Sequence, residues 1–294
     1  MAINWFPGHM HKARKEIKEI MPQVDLVIEV LDARLPFSSE NPLVAGLRRD
    51  KPALKILNKR DLADPQVTAD WLRFLEQDCN VKAIALTQKQ PGEVQSLLQI
   101  CRDMLAHRNL ENRTLRALIL GIPNVGKSTL INTLAGRAIA KTGNQPAVTK
   151  MQQRIQLPNN IVLLDTPGFL WPKLSPAECG YRLAASGAIK DTVFEYEDVA
   201  MFAAEYLMQA YPDALRQRYQ LDELPPTAVE LMDAIGARRG CVRRGGQADL
   251  HKVAEILLTE LRSGAIGRIS LETPAMAAAV RAASAPDEPE PEQP

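Results

Sequence analysis

Residues 55–64 read KILNKRDLAD, and residues 120–129 read LGIPNVGKST. The first stretch contains Asn58-Lys59-Arg60-Asp61, an N-K-x-D segment of the kind that reads a guanine base. The second contains G-x-x-x-x-G-K-[ST] over 121–128, the signature of a phosphate-binding loop. In Ras-like domains the phosphate loop comes first and N-K-x-D lies near the end. Here the base reader precedes the phosphate holder by about sixty residues, and that order needs a physical account.

The phosphate loop has the context its chemistry demands. RALILG (116–121) is an apolar, strand-like run, and 127–135 follows it with a helical pattern. Backbone N–H groups from Gly121 to Thr129, including those of Asn124, Val125 and Gly126, can wrap phosphate oxygens at a helix N-terminus. Lys127 is placed to reach the β- and γ-phosphates, and the Ser128 hydroxyl to coordinate Mg²⁺.

The N-K-x-D closes a second strand-like run, PALKILN (52–58), and open α/β sheets bind ligands at such strand ends. Asp61 can accept hydrogen bonds from N1 and the exocyclic amine of guanine, a donor pair that adenine lacks. Lys59 can lie along the base and brace the phosphate loop, and Asn58 can tie the base loop to its neighbours. DTPG (165–168) is D-x-x-G, which arises by chance about once in such a chain. Its weight comes from position, since it ends a strand about forty residues after the phosphate loop. Asp165 can hold the Mg²⁺ shell through water, and the Gly168 N–H can meet the γ-phosphate. Between them, in QPAVTK, Thr149 is placed to complete the Mg²⁺ shell.

Strand-like and helix-like segments alternate through the first two-thirds of the chain. VDLVIEVLDA (24–33) and VKAIALT (81–87) read as strands, and 66–78 and 93–107 as amphipathic helices. MQQRIQL (151–157) and NIVLLDTPG (160–168) read as adjacent strands. This alternation predicts an α/β fold, a mostly parallel sheet with helices on both faces. Convergence of loops at one sheet edge does not depend on chain order. Cutting a Ras-like domain before its base-reading half and joining its old ends gives the observed order.

After about residue 175 the strand signals stop. SPAECGYRLAASGAI opens like a capped helix, and helices are expected near 197–211, 226–235 and 249–263. The expected organisation is a circularly permuted P-loop nucleotide-binding domain over 1–175, a smaller all-helical domain over 176–275, and a disordered tail over 276–294.

Bulk composition narrows the classes. The chain has 294 residues, 46% of them hydrophobic, which suits about two globular domains. Its four cysteines lie far apart with no C-x-x-C, so they read as reduced thiols rather than as disulfides or a metal site. No run approaches the ~18 apolar residues of a membrane span, and the first twenty residues lack an apolar signal core. A cytoplasmic monomer is the expectation. Net charge is only +1, but HKARKEIK (11–18) and RRGCVRR (238–244) are basic patches, and the tail DEPEPEQP is acidic.

Taken together, NWFPGHMHKAR (4–14), DARLPFSSENP (32–42), NKRD, GIPNVGKSTLIN, DTPGFLWPK and GAIKD resemble the YlqF/RbgA family of circularly permuted GTPases over nearly all of residues 3–272. The resemblance implies GTP hydrolysis to GDP and phosphate, in a nucleotide-dependent assembly factor for the large ribosomal subunit. The implied partners are a large-subunit precursor, its rRNA and ribosomal proteins. It also implies that Asn124 places K⁺ beside the phosphates, where other GTPases use an arginine finger. Three departures stand out. Pro146-Ala147-Val148-Thr149-Lys150 replaces P-G-V-T-[TR], the usual S-A backing of the guanine is replaced around Leu86-Thr87, and the acidic tail lies outside the resemblance.

Two expectations complete the reading. Arg238, Arg239, Arg243 and Arg244 are expected to bind structured rRNA. Phe169 stands where many GTPases place a water-orienting Gln, so another group must act, and His9 in the N-terminal NWFPGHM is the candidate. It can orient or deprotonate water, or donate to the γ-phosphate. Its structural alternative is to cap the basic helix at 12–20, and His11 is a weaker candidate. A nucleotide-regulated RNA-binding module with negligible turnover, and an ATP-dependent P-loop enzyme with an accidental N-K-x-D, are the competing functions.

Overall fold

The computed structural model describes residues 15–106, 113–140, 153–166, 168, 170, 174–243 and 247–284. Its centre is a six-stranded sheet of order β3-β2-β1-β4-β6-β5. The strands are β1 (Leu26–Asp32), β2 (Ala53–Asn58), β3 (Val81–Ala85), β4 (Leu115–Gly121), β5 (Gln153–Leu157) and β6 (Ile161–Asp165). All neighbours pair in parallel except β5, which runs antiparallel to β6. Every residue of β1 and β2 is buried, as expected of parallel strands covered on both faces.

The order explains the permutation. β1 and β4 sit side by side at the middle, with Leu26 opposite Ala117 and Val30 opposite Gly121. The base-reading strands β1–β3 and the phosphate-side strands β4 and β6 therefore point their C-terminal ends to the same edge, although the chain visits the two halves in reversed order. That shared edge is where such sheets bind ligands.

Helix α1 covers 15–20 among the described residues. Next come α2 (Pro36–Ser39), α3 (Pro42–Arg48), α4 (Pro65–Leu75), α5 (Pro91–Asp103) and α6 (Lys127–Ala135). Several start where a cap and a proline coincide. Asp64 accepts from the N–H groups of Gln66 and Val67 ahead of α4, and Asn41 accepts from that of Leu43 ahead of α3.

Beyond β6 come α7 (Ala177–Ser186), α8 (Tyr196–Ala210), α9 (Pro212–Tyr219), α10 (Ala228–Arg239), α11 (Leu250–Ser263) and α12 (Pro274–Ser284). α8 packs against α7, α10 and α11. The expected Ser175 cap of α7 is not formed. Pro176 occupies the N-cap position and makes no side-chain cap bond. One apolar core runs from the sheet into these helices.

The tail expectation needs correction. Residues 276–284, expected disordered, belong to α12, which packs on α4. Ala277 is buried in a second core with Leu31, Leu57, Trp71 and Leu75. The alanines favour a helix, and the buried face supplies the tertiary contact that composition alone does not reveal.

Candidate functional site

The base-reading turn follows β2. Asn58 is buried, and its side-chain N–H donates to the Val125 carbonyl at 2.7 Å, joining this turn to the phosphate loop. Gln88 adds a second tie, donating to the Gly126 carbonyl at 2.7 Å. A Cβ at Gly126 would lie 2.4 Å from Asn58 Nδ2 and 2.7 Å from Gln88 Nε2, and its φ is +97°. Only glycine fits both the space and the backbone there.

Asp61 follows in a single 3₁₀ turn over Arg60–Leu62. Thr87 Oγ1 donates to one of its carboxylate oxygens at 2.9 Å, and Lys89 Nζ lies 2.7 Å from the other. Partial burial works against ionisation, but these two hydrogen bonds prevail and lower its pKa. Asp61 is thus held as a carboxylate acceptor, and Thr87 of the altered Leu86-Thr87 segment is what orients it. Arg60 turns away, donating to the Ala85 carbonyl and pairing with Glu93 at 2.6 Å.

Lys59 departs from the expected role. It has a left-handed backbone, φ 60°, and its Nζ donates to Asp32 Oδ2 at 2.9 Å rather than to the phosphate loop. Asp32, at the end of β1, also receives Arg34 Nε at 2.9 Å and Arg34 Nη2 at 2.8 Å. Burial alone would raise this carboxyl, but the Arg34 guanidinium and the Lys59 ammonium hold it well below the usual carboxylate range. Sequence reasoning assigned no role to Asp32, Arg34 or Gln88. The available signal was an Asp closing the strand beside the one that ends in the phosphate loop.

The phosphate loop lies between β4 and α6, with Ser128 in the first turn of α6 and Thr129 exposed beside it. Lys127 is buried and donates to Asp165 Oδ1 and to the Thr166 carbonyl, the latter at 2.6 Å. Burial lowers the Lys127 pKa against the pull of Asp165, and it raises that of Asp165 against the pull of Lys127. Asp165 Oδ2 is buried and without a hydrogen-bond partner. Gly168 packs on the same loop, since a Cβ there would lie 3.3 Å from the Pro123 backbone. Asn124, at φ 58°, donates its amide N–H to the Gly187 carbonyl at 2.8 Å.

Asn58, Asp61, the phosphate loop, Asp165 and Gly168 thus gather at one sheet edge. His9, His11, Thr149, Phe169 and Arg244 lie outside the described residues. Of the other arginines, Arg239 pairs with Glu260 at 2.8 Å and sits over the Tyr219 ring, and Arg243 pairs with Asp249 at 3.0 Å. Arg238 is exposed in the last turn of α10. Among the described residues, no helix is long and apolar enough to cross a membrane, and no group of three or more His, Cys, Asp or Glu is placed to hold a metal ion.

Comparison with known proteins agrees with this geometry. Residues 116–223 match a family model described as a 50S ribosome-binding GTPase. The chain is 45% identical to ribosome biogenesis GTPase A of Priestia megaterium, over 94% of this chain and 99% of that protein. It is 44% identical to the protein of the same name from Bacillus cereus, over 93% and 95% respectively. Among solved structures it is similar to GNP-bound YlqF from Thermotoga maritima, with TM-score 0.64, 27% identity, and coverage of 90% of this chain and 98% of that one.

Proposed function

The chain belongs to the ribosome biogenesis GTPase A family and is a GTPase acting in ribosome biogenesis; on that premise we propose that it works on a precursor of the large ribosomal subunit in the cytoplasm, as a monomer, with its GTP or GDP state setting how tightly it holds that particle. One observation carries the reading. The two nucleotide-reading segments, separated in the chain, are tied directly through Asn58 to Val125 and Gln88 to Gly126. A base seated at Asp61 and phosphates seated at Lys127 would then belong to one ligand.

In this reading Asp61 selects guanine, and the backbone of Asn124–Thr129 holds the phosphates. Lys127 transfers its hydrogen bonds from Asp165 and the Thr166 carbonyl to the β- and γ-phosphates. The donor set suits Mg²⁺: the Ser128 hydroxyl lies in the first turn of α6, and Asp165, which would act through water, carries a buried oxygen with no protein hydrogen-bond partner. Thr149 would add a third oxygen. When bound, Mg²⁺ would neutralise charge on the phosphate oxygens. The Asn124 amide oxygen would be the K⁺ ligand, with its N–H anchored on Gly187. His9 would orient or deprotonate the attacking water, or donate to the γ-phosphate. Residues 1–175 would act as the nucleotide domain and 176–275 as the helical, RNA-contacting domain, through rRNA and ribosomal proteins. Arg238 would meet phosphates directly, Arg239 and Arg243 by exchanging Glu260 and Asp249, and Arg244 would join them.

The test is co-sedimentation with large-subunit particles under GTP, GDP and a non-hydrolysable GTP analogue. Binding that differs between nucleotide states, with turnover stimulated by the particle, is expected. Equal binding in all three states would remove the switch. State-dependent binding with no stimulated turnover would favour an RNA-binding module for which GTP is only a ligand.

A further inference from the structure

We propose that the segment 268–272, and Arg268 above all, positions the base-reading turn, so that guanine affinity depends on a strap delivered from beyond the last helix of the α8–α11 bundle. The inference rests on the reading of Asp61 as the group that meets the base.

The turn needs outside support. Lys59 is a non-glycine residue at φ 60°, a conformation that persists where surrounding structure over-determines it. The chain then makes a single 3₁₀ turn of three residues, Arg60–Leu62. This turn has no helix of its own to stiffen it, yet it must hold Asp61 at a fixed height above the sheet edge.

The strap provides that support. After α11 the chain returns across the base-reading edge. Arg268 Nε donates to the Ala63 carbonyl at 3.0 Å, and Arg268 Nη2 to the Arg60 carbonyl at 3.1 Å. The Ile269 N–H donates to the Leu62 carbonyl at 2.9 Å. Three carbonyls of the turn and its exit are therefore held by two consecutive residues. One step on, the Leu271 N–H donates to the Arg34 carbonyl at 2.6 Å. Arg34 clamps Asp32, and Asp32 holds Lys59, so the strap reaches the turn from its other end as well.

The strap is itself anchored from the helical side. The Ser270 N–H donates to Tyr211 Oη at 3.1 Å, and Tyr206 Oη donates to the Ser270 carbonyl at 2.9 Å. Ser270 Oγ accepts from the Asp64 N–H at 3.2 Å, just past the turn. Arg268 lies on the exposed surface, so removing its side chain deletes two bonds to the turn without opening a cavity. It is a positioning residue: it acts on the base through Asp61.

The experiment uses the full chain and two nucleotides, GDP and inosine diphosphate. Inosine keeps the N1–H but lacks the exocyclic amine, so the GDP-to-IDP affinity ratio reads how well Asp61 meets both donors at once. In Arg268→Ala the Kd for GDP is expected to rise about five- to tenfold, that for IDP to rise less, and the ratio to narrow, with Tm little changed. In Asp61→Asn/Arg268→Ala the Arg268 contribution should vanish, because the group it positions is gone. An unchanged Kd for GDP, equal weakening of both nucleotides, or fully additive effects in the double variant would overturn the proposal. If Asp61→Asn alone leaves GDP affinity and the ratio unchanged, the base assignment itself fails, and the strap's role falls with it for that separate reason.

Discussion

Two buried charge clusters flank the nucleotide edge, and their carboxyls respond to burial with opposite results. On the base side, Asp32 sits between Arg34 and Lys59, and the two cations overcome desolvation and hold it ionised, although burial lowers the Lys59 pKa as it does that of Lys127. On the phosphate side, Lys127 is the one cation paired with Asp165 among the described residues, and desolvation prevails, raising the acid and lowering the base. The first cluster is fixed in place as structure. The second is a pair whose partners gain by exchange, which suits a site where phosphates and a divalent cation are to arrive. Similar residue types serve as scaffold on one side and as replaceable contacts on the other, according to how many counter-charges surround the carboxylate.

The largest expected effect tests this contrast. Asp32→Asn leaves a guanidinium that cannot deprotonate beside a second cation, and breaking such a buried pair costs about 3–5 kcal/mol. Lys127→Met leaves Asp165, whose raised pKa lets it take a proton, so the loss should be nearer 1–3 kcal/mol, while nucleotide binding collapses. Urea unfolding of both variants at neutral pH measures the difference. Equal losses would show that the two pairs are alike and that the contrast has no energetic content.

A second comparison lies within β1 itself. Glu29 stands three residues before Asp32 on the same buried strand, yet its pKa moves the other way. Burial, then the charge of Glu40, push it up from 4.5 to about 7, against the pull of Lys55. The reason is again counter-charge. Lys55 is shared, lying 2.6 Å from Glu40 and 3.8 Å from Asp78, whereas Asp32 has two cations hydrogen-bonded directly to it. Between about pH 4.5 and 7 the folded state binds more protons at Glu29 than the unfolded state does, so stability falls as pH rises through that window. The full contribution is present below it and gone above it, a change of about 3 kcal/mol. Glu29→Gln keeps an acceptor for the Asn41 N–H and should flatten this slope, gaining stability at pH 8 relative to the parent. A parent protein whose stability is level between pH 5 and 7.5, by thermal or urea unfolding, would refute the assignment.

These contrasts also mark what is legible in the sequence. The phosphate loop, its strand and α6 are readable because the chemistry of phosphate binding demands that order of elements. The permutation is readable because parallel strands converge whatever their chain order. Asp32 and Arg34 are visible as residues but not as a clamp on Lys59, because their pairing is tertiary. Gln88 has no local pattern at all, and its bond to Gly126 exists only once β3 and β4 share a sheet. α2, with four residues, is too short to show a period. α12 is hidden by composition: the Pro/Glu-rich end suggests disorder from residue 276 onward and outweighs a short start signal. In that signal Thr273 Oγ1 accepts from the Met276 N–H at 3.4 Å, and Pro274 opens the helix.

The smallest effect concerns what holds α12 in place. Arg281 lies 5.0 Å from the centroid of the Phe74 ring, with ion pairs of 3.7 Å to Glu40 and 4.0 Å to Asp78. It joins α12 to the same acidic groups that divide Lys55. Its side chain is 42% exposed, so solvent weakens both ion pairs, and the ring contact is worth about 0.5–1 kcal/mol at an exposed site. Arg281→Ala should therefore cost about 1 kcal/mol or less in urea unfolding. Raising the salt to about 1 M should remove only the ion-pair share of that loss. Ala277, buried against Trp71 and Leu75, would then be the principal anchor. A loss above about 2 kcal/mol would exceed what such exposed contacts supply. It would make the helix depend on Arg281, tying α12 to the charge cluster around Glu29 rather than to the second core.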